Sequence, residues 1–157
     1  MTFAGIRPQE VTRLTWNDIF LDTPSKVIKV RSMASKTGGT RQVSICAALE
    51  SWLRIAPRQE DNSICPPQWP VRWAGLRYRA GWDANGKRWP NDALRHTFAS
   101  YHVLTHRDIP RLQLEMGHSS STQIMHRYMN LSGVDQEMAE CFWNIVPEED
   151  FYADRNA

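Results

Sequence analysis

Hydrophobic and polar positions along the chain follow two periods, and the switches between them mark the elements. Lys26-Val27-Ile28-Lys29-Val30-Arg31 alternates with period two and is rich in β-branched residues, and Arg41-Gln42-Val43-Ser44-Ile45 does so again. Between them Thr37-Gly38-Gly39-Thr40 offers two glycines for a tight turn at positive φ, so the pair is expected as a β-hairpin. Elsewhere the period is helical. Pro8-Gln9-Glu10 opens a helix with a proline at its first position and an acid in its first turn. Val11, Leu14 and Thr15 give that helix a buried face as far as Trp16-Asn17-Asp18. Ala47 to Ala56 is expected as a helix with Leu49, Trp52 and Leu53 on one side, followed by a proline-rich loop from Pro57 to Pro70.

Asn91 caps the next helix, in which Leu94, Phe98 and Tyr101 recur at helical spacing. Asp108-Ile109-Pro110 repeats the cap-then-proline signature for a helix that Gly117 stops, and Ser121 caps a further helix leading to Tyr128. Val134, Met138, Cys141, Phe142 and Ile145 form a last apolar stripe, to be buried on the chain's own body or on another molecule. The expected fold class is mainly α with a small antiparallel β-hairpin or sheet, in one domain.

Composition adds a little. The 157 residues are 41% hydrophobic and 23% charged with seven tryptophans, enough for one globular core. No stretch is long and apolar enough for a membrane span, and Met1-Thr2-Phe3-Ala4-Gly5 has none of the character of a signal peptide. Cys46, Cys65 and Cys141 are odd in number and lack any CxxC, which points to reduced thiols in a cytoplasm rather than disulfides or zinc.

Charge changes the picture more. The net charge of +2 hides an asymmetry, because residues 133–157 carry seven acidic residues against Arg155, a net of −6, which leaves +8 on residues 1–132. A basic body with an acidic tail suits a polyanionic ligand, and ordinary surface variation explains it equally well. Arg72, Arg77, Arg79, Lys87 and Arg88 face Asp83 alone and are interleaved with Trp73, Tyr78 and Trp82. Positive side chains beside flat rings suit a nucleic-acid groove. A helix with an aromatic core stripe and a basic solvent face is the competing explanation.

Tyr128 is the candidate nucleophile, and a phenol that titrates near about 10 needs cationic partners to attack anything at neutral pH. Arg7 sits at a helix start, where the dipole gives no reason to place a cation. Lys36 stands just before the hairpin turn, Arg95 and His96 lie in the first turns of their helix, and His118 follows Gly117.

Taken in order, these pieces resemble the catalytic domain of tyrosine recombinases, the phage-integrase superfamily. Gly5-Ile6-Arg7-Pro8-Gln9-Glu10 with Leu14-Thr15-Trp16-Asn17-Asp18 is similar to the family's first arginine box, and Ser35-Lys36-Thr37-Gly38 to its hairpin lysine. Ala93-Leu94-Arg95-His96-Thr97-Phe98-Ala99-Ser100 resembles the second arginine box, and Met116-Gly117-His118-Ser119-Ser120 with Tyr128 the glycine-histidine box and nucleophile. The resemblance implies site-specific recombination of double-stranded DNA, by integration or excision, through a 3′-phosphotyrosyl intermediate and with no metal, ATP or other cofactor. It gives Arg7 and Arg95 the non-bridging oxygens of the scissile phosphate, Lys36 the leaving 5′-oxygen, and His118 a phosphate oxygen. It also implies self-association on DNA into a tetramer through the C-terminal helix, and a cytoplasmic protein found on the nucleoid.

Two departures stand out. The family's histidine three residues before the second arginine is here Asp92, read either as a structural residue behind the Asn91 cap or, with Asn91, as an acceptor of the tyrosine proton. Only Met1 to Ala4 precede the first box, so the resemblance implies a chain lacking the family's opening helix and its N-terminal DNA-clamping domain, with residues 133–157 as an acidic helix and tail. Two other readings stay open: a type IB topoisomerase, against which the short Gly-His-Ser box speaks, and a degenerate fragment that binds DNA without cutting it.

Overall fold

A computed structural model describes residues 1–31, 39–118 and 133–148. Two apolar clusters organise it, one under a small sheet and one between helices, and the candidate arginines lie where the two meet.

The sheet has three antiparallel strands in the order β1 (Ile19–Phe20), β2 (Val27–Arg31) and β3 (Thr40–Ser44). The two alternating runs pair as expected, Ile28 opposite Val43, but Thr40, expected in the turn, belongs to β3 and stands opposite Arg31. Period-two alternation buries Ile28 and Val30 and leaves Lys29 and Arg31 exposed. The first cluster gathers Ala4, Ile6, Leu14, Ile28, Val30, Val43 and Ile45, with Leu49 and Leu53 of α2 (Ala47–Ile55) packed against it. Strand β1 was not expected; at two residues it is too short to leave an alternating signature.

The first helix, α1, spans only Pro8–Val11, not the longer helix expected as far as Trp16. A contact remote in sequence ends it. The backbone N–H of Trp16 donates to the Asn62 carbonyl at 3.0 Å, and that of Ile64 to the Leu14 carbonyl at 3.0 Å. This bridge draws the chain into extended backbone at Thr15, whose N–H and hydroxyl both donate to Asp18 Oδ2 and start a short 3-10 turn at Trp16–Asp18. The proline-rich loop closes two residues early, because α3 (Trp69–Arg79) begins with Pro70 in its first turn.

Helix α4 (Ala93–His106) carries Phe98 and Ala99 into the second cluster, with Leu112 and Met116 of α5 (Ile109–Met116). Asp108 caps α5 as expected, accepting from the Arg111 N–H at 3.0 Å. The cap of α4 differs. Asp92, not Asn91, occupies the cap position, and its left-handed backbone (φ 54°) replaces the extended geometry from which a side-chain oxygen reaches the first turn, so no side-chain capping bond forms.

The last described helix, α6 (Gln136–Trp143), packs on its own chain. Phe142 stacks on Tyr101 at 4.3 Å and touches Phe3 at 5.1 Å, and the Trp143 indole donates to Thr105 Oγ1 at 2.9 Å. These aromatic contacts set the helix's rotation. Ala139 and Phe142 are buried, while Met138 (44% exposed) and Ile145 (50%) of the expected stripe face outward and Cys141 is exposed. No helix among the described residues is long and apolar enough to cross a membrane.

His102, 3% exposed between Phe98 and His106, gives the fold an acid sensitivity. Burial, helped by the charge of His106, lowers its pKa from 6.5 to about 4. The unfolded chain therefore takes this proton near pH 6.5, whereas the folded chain refuses it until about 4. Stability is full above pH 6.5 and falls by up to roughly 3 kcal/mol on the way to pH 4. Replacing His102 with Phe is expected to flatten the dependence of Tm on pH between 6.5 and 4.5. An unchanged slope would overturn the assignment.

Candidate active site

The site begins with the way α5 ends. Gly117 adopts φ 63°, and the N–H groups of Gly117 and His118 reach back to the carbonyls of Leu114 and Gln113, both at 3.1 Å. Stopping a helix this way leaves its last carbonyls without intrahelical donors and gathers partial negative charge there. Three arginines from three separate elements answer it.

Arg95 on α4 is 4% exposed and donates through Nη2 to the Met116 carbonyl at 2.7 Å and through Nη1 to the Gly5 carbonyl. Arg7 donates to the same Met116 carbonyl at 3.4 Å and to the Gly117 carbonyl at 3.2 Å. Arg41 on β3 donates through Nε to the Glu115 carbonyl at 2.8 Å. The cation that was out of place at the start of α1 is thus in place at the end of α5. Arg7, with 41% of its side chain exposed, is the accessible member of the group, and Arg95 is the buried one.

One carboxylate offsets this charge. Glu10 of α1 takes a forked pair from Arg41, at 2.8 Å on Oε1 and 2.6 Å on Oε2, and accepts from the backbone N–H of Arg7 at 2.9 Å. Burial alone would raise its pKa, but the bonds from Arg41 and Arg7 and their charges outweigh burial and hold it at about 2. A second carboxylate, Glu115, is buried a turn away; it accepts from Ser44 Oγ at 2.7 Å and Arg111 Nε at 3.1 Å and ties α5 to β3. Sequence reading passed over Glu10 and Arg41 as functional residues. One signal was there: Arg41 alternates in phase with Val43 and Ile45, so it points inward from the sheet, where an arginine needs a buried partner.

Gly5 completes the cluster. It holds φ 57°, and a Cβ there would lie 2.5 Å from Cδ1 of the buried Phe98. Left-handed backbone without glycine costs roughly 1 kcal/mol and overpacking a core about 2 more. Gly5→Ala is therefore expected to lose about 3 kcal/mol of stability in denaturant unfolding and to loosen Arg95. A loss under 1 kcal/mol would mean that Phe98 yields freely.

Among the sequence-predicted site residues, the fold brings together Arg7, Arg95 and the Gly117-His118 segment, across up to 110 positions of sequence. Lys36 and Tyr128 lie outside the described residues. Asp92 is exposed at the start of α4, one turn before Arg95. The basic set Arg72, Arg77, Arg79, Lys87 and Arg88 belongs to α3 and the loop after it, and no described bond joins it to the arginine cluster. Four tryptophans assemble that region: Trp69 stacks on Trp73, and Trp89 meets both Trp73 and Trp82 edge-on at 5.4 Å. Lys87 lies over the Trp82 ring at 4.3 Å, and Arg77 pairs with Asp83 at 2.7 Å. A recess with three cations against one acid is lined by Arg77, Asp83, Lys87, Arg88, Trp89 and Asn91.

Comparison with known proteins bears on the family and the fold. The family model described as "Phage integrase family" matches residues 1–133. The fold is similar to that of XerA recombinase, with a TM-score of 0.60 and 18% identity over 90% of this chain and 53% of that one. It is also similar to the catalytic domain of bacteriophage HP1 integrase, with a TM-score of 0.61 and 23% identity over 90% of this chain and 76% of that one. XerH site-specific recombinase bound to its difH substrate matches with a TM-score of 0.57 and 20% identity over 82% of this chain and 40% of that one. The chain thus spans about half the length of XerA and less of XerH. No curated protein matches its sequence significantly.

Proposed function

The chain belongs to the phage integrase family, and from that premise we propose that it recombines double-stranded DNA by transesterification at a site built from Arg7, Arg95, His118, Lys36 and Tyr128. The observation that carries this reading is the meeting of Arg7 and Arg95 on one carbonyl beside Gly117-His118. A guanidinium keeps its charge and its fork matches two phosphate oxygens, so a pair of them suits a phosphodiester whose negative charge grows in the transition state. In the proposed step the Tyr128 oxygen bonds to phosphorus, the bond from phosphorus to the 5′-oxygen breaks, and the Lys36 ammonium gives that oxygen a proton. The phenolic proton goes to a base. Asp92, whose carboxylate is exposed and makes no capping bond, is the candidate, with Asn91 beside it. His118 donates to a phosphate oxygen. The phosphotyrosyl bond keeps the energy of the phosphodiester, so rejoining calls for no nucleotide or metal cofactor.

The basic recess and the exposed Arg72 and Arg79 of α3 are the proposed backbone contacts to duplex DNA; the Tn1549 transposon integrase, of similar fold, is in complex with DNA in its own structure. Outward-facing Met138 on α6 and Ile145 just beyond its end are the surface through which protomers would associate into a tetramer on DNA, in the cytoplasm and on the nucleoid. The second reading, a fragment that binds DNA without cutting it, is separated by one experiment. Incubated with a nicked duplex that lets the cleaved end diffuse away, the protein is expected to give a protein–DNA band that survives denaturation. Binding without such a band, at every salt concentration and site tried, would favour the second reading.

A further inference from the structure

Arg41 has no part in the chemistry above, yet its side chain is heavily committed within the cluster. Only 13% of the side chain is exposed, its fork closes on both oxygens of Glu10, and its Nε reaches the Glu115 carbonyl. Glu10 lies between two guanidinium groups and divides itself unequally. Its bonds to Arg41 are 2.6 and 2.8 Å long, whereas the Arg7 guanidinium stands off at 3.4 Å. We infer that Arg41 is a positioning residue that takes up the charge of Glu10 and so leaves the Arg7 guanidinium available to a phosphodiester. The inference rests on the reading of Arg7 as a phosphate ligand.

The argument is one of competition. Arg7, Arg41, Arg95 and Glu10 together carry a net charge of +2. Arg7 is the next cation in reach of Glu10, already 3.4 Å from Oε1 through its side chain and 2.9 Å from Oε2 through its backbone N–H. With Arg41 gone, a small turn of Arg7 closes a forked pair with Glu10, and one carboxylate then occupies the donors that an incoming phosphate needs. Half-buried surroundings make that pair hard to displace.

Arg41 also serves as a strut. It links β3 to α1 and α5 and passes beneath Gly117, where an added Cβ would stand 3.1 Å from its side chain. Strut and charge carrier predict opposite results when the carboxylate is removed as well. Arg41→Met is expected to slow formation of the covalent band on a nicked duplex about 100-fold, the scale of one lost phosphate donor. Adding Glu10→Gln is expected to restore at least tenfold of that, because a neutral amide leaves the Arg7 fork unpaired with any charge. A pure strut predicts that the double variant is as slow as the single one or slower.

A second readout works without cleavage. Titration of inorganic phosphate, followed by the NMR signal of the Arg7 Nε–H, is expected to show weaker binding in Arg41→Met, recovery in the double variant, and near wild-type binding in Arg41→Lys, which keeps the charge but not the fork. If wild type forms no covalent band yet shows this phosphate pattern, the recombinase reading fails and the assignment of Arg41 stands. If the double variant recovers neither rate nor phosphate binding, or if Arg41→Lys binds phosphate as poorly as Arg41→Met, Arg41 is a strut and the inference is overturned.

Discussion

Tyr128→Phe is expected to abolish the denaturation-resistant protein–DNA band completely while leaving DNA affinity within about twofold of wild type. The substitution removes one oxygen and nothing else. A phenyl ring has no lone pair for phosphorus, so no covalent intermediate can form at any rate. No lysine or arginine is changed, and affinity for duplex DNA is governed by the cations that neutralise phosphates. Measuring both on the same nicked duplex, by a denaturing gel and by a binding titration at fixed salt, separates the two effects. A residual band would assign the nucleophile to another residue, Tyr78 and Tyr101 being the tyrosines that lie on described helices.

Arg95 should give the second largest effect, with a different signature. Its guanidinium joins the Gly5 carbonyl at the front of the chain to the Met116 carbonyl at the end of α5. Arg95→Met keeps most of the volume but withdraws both donors, and a buried carbonyl left without a partner costs about 1–3 kcal/mol. The loss of a buried charge offsets part of this, so a net destabilisation of about 2 kcal/mol is expected, visible in denaturant unfolding. Cleavage should fall much further, by about 1,000-fold, since the site loses a fixed charge from the place where phosphate charge develops. Arg95→Lys should recover part of the stability and little of the rate, because one ammonium cannot span both carbonyls and face a phosphate as well. If Arg95→Met cleaves within tenfold of wild type while folded, Arg95 is a structural residue alone.

Much of the fold could be read from single residues acting locally. The pairing and facing of the hairpin strands follow from Ile28, Val30 and Val43 sharing one face, and α5 is bounded by Asp108 and Gly117, whose cap and stop depend only on neighbours within one turn. What could not be read was set by residues distant in sequence. Helix α1 stops at Val11 because the 62–64 segment bonds to the backbone at Leu14 and Trp16, and nothing within the Pro8 to Asp18 stretch announces that strand-like bridge. The outward turn of Met138 and Ile145 came from aromatic rings on α4 and from Phe3, which outweighed a regular apolar stripe. At the site, Arg7, Arg95 and His118 were legible as motif residues, whereas the object they share was not. Backbone carbonyls at a helix end have no letter in the sequence, and the Glu10–Arg41 pair that screens them joins positions 31 apart.

The stopped end of α5 has a consequence for the order in which the molecule can become competent. Arg7 and Arg41 are made early and Arg95 later, but the oxygens that collect all three belong to residues 115–117. A nascent chain in which residues 115–117 have not yet been made holds every one of these cations and no means of bringing them to a point. Like charges held apart by their mutual repulsion come together only when the last turn of α5 closes over them. Closing contacts that span more than a hundred positions carries a loop-entropy cost, so this junction is expected to form late. The closed arginine cluster is thereby a signal that the two halves of the domain have met.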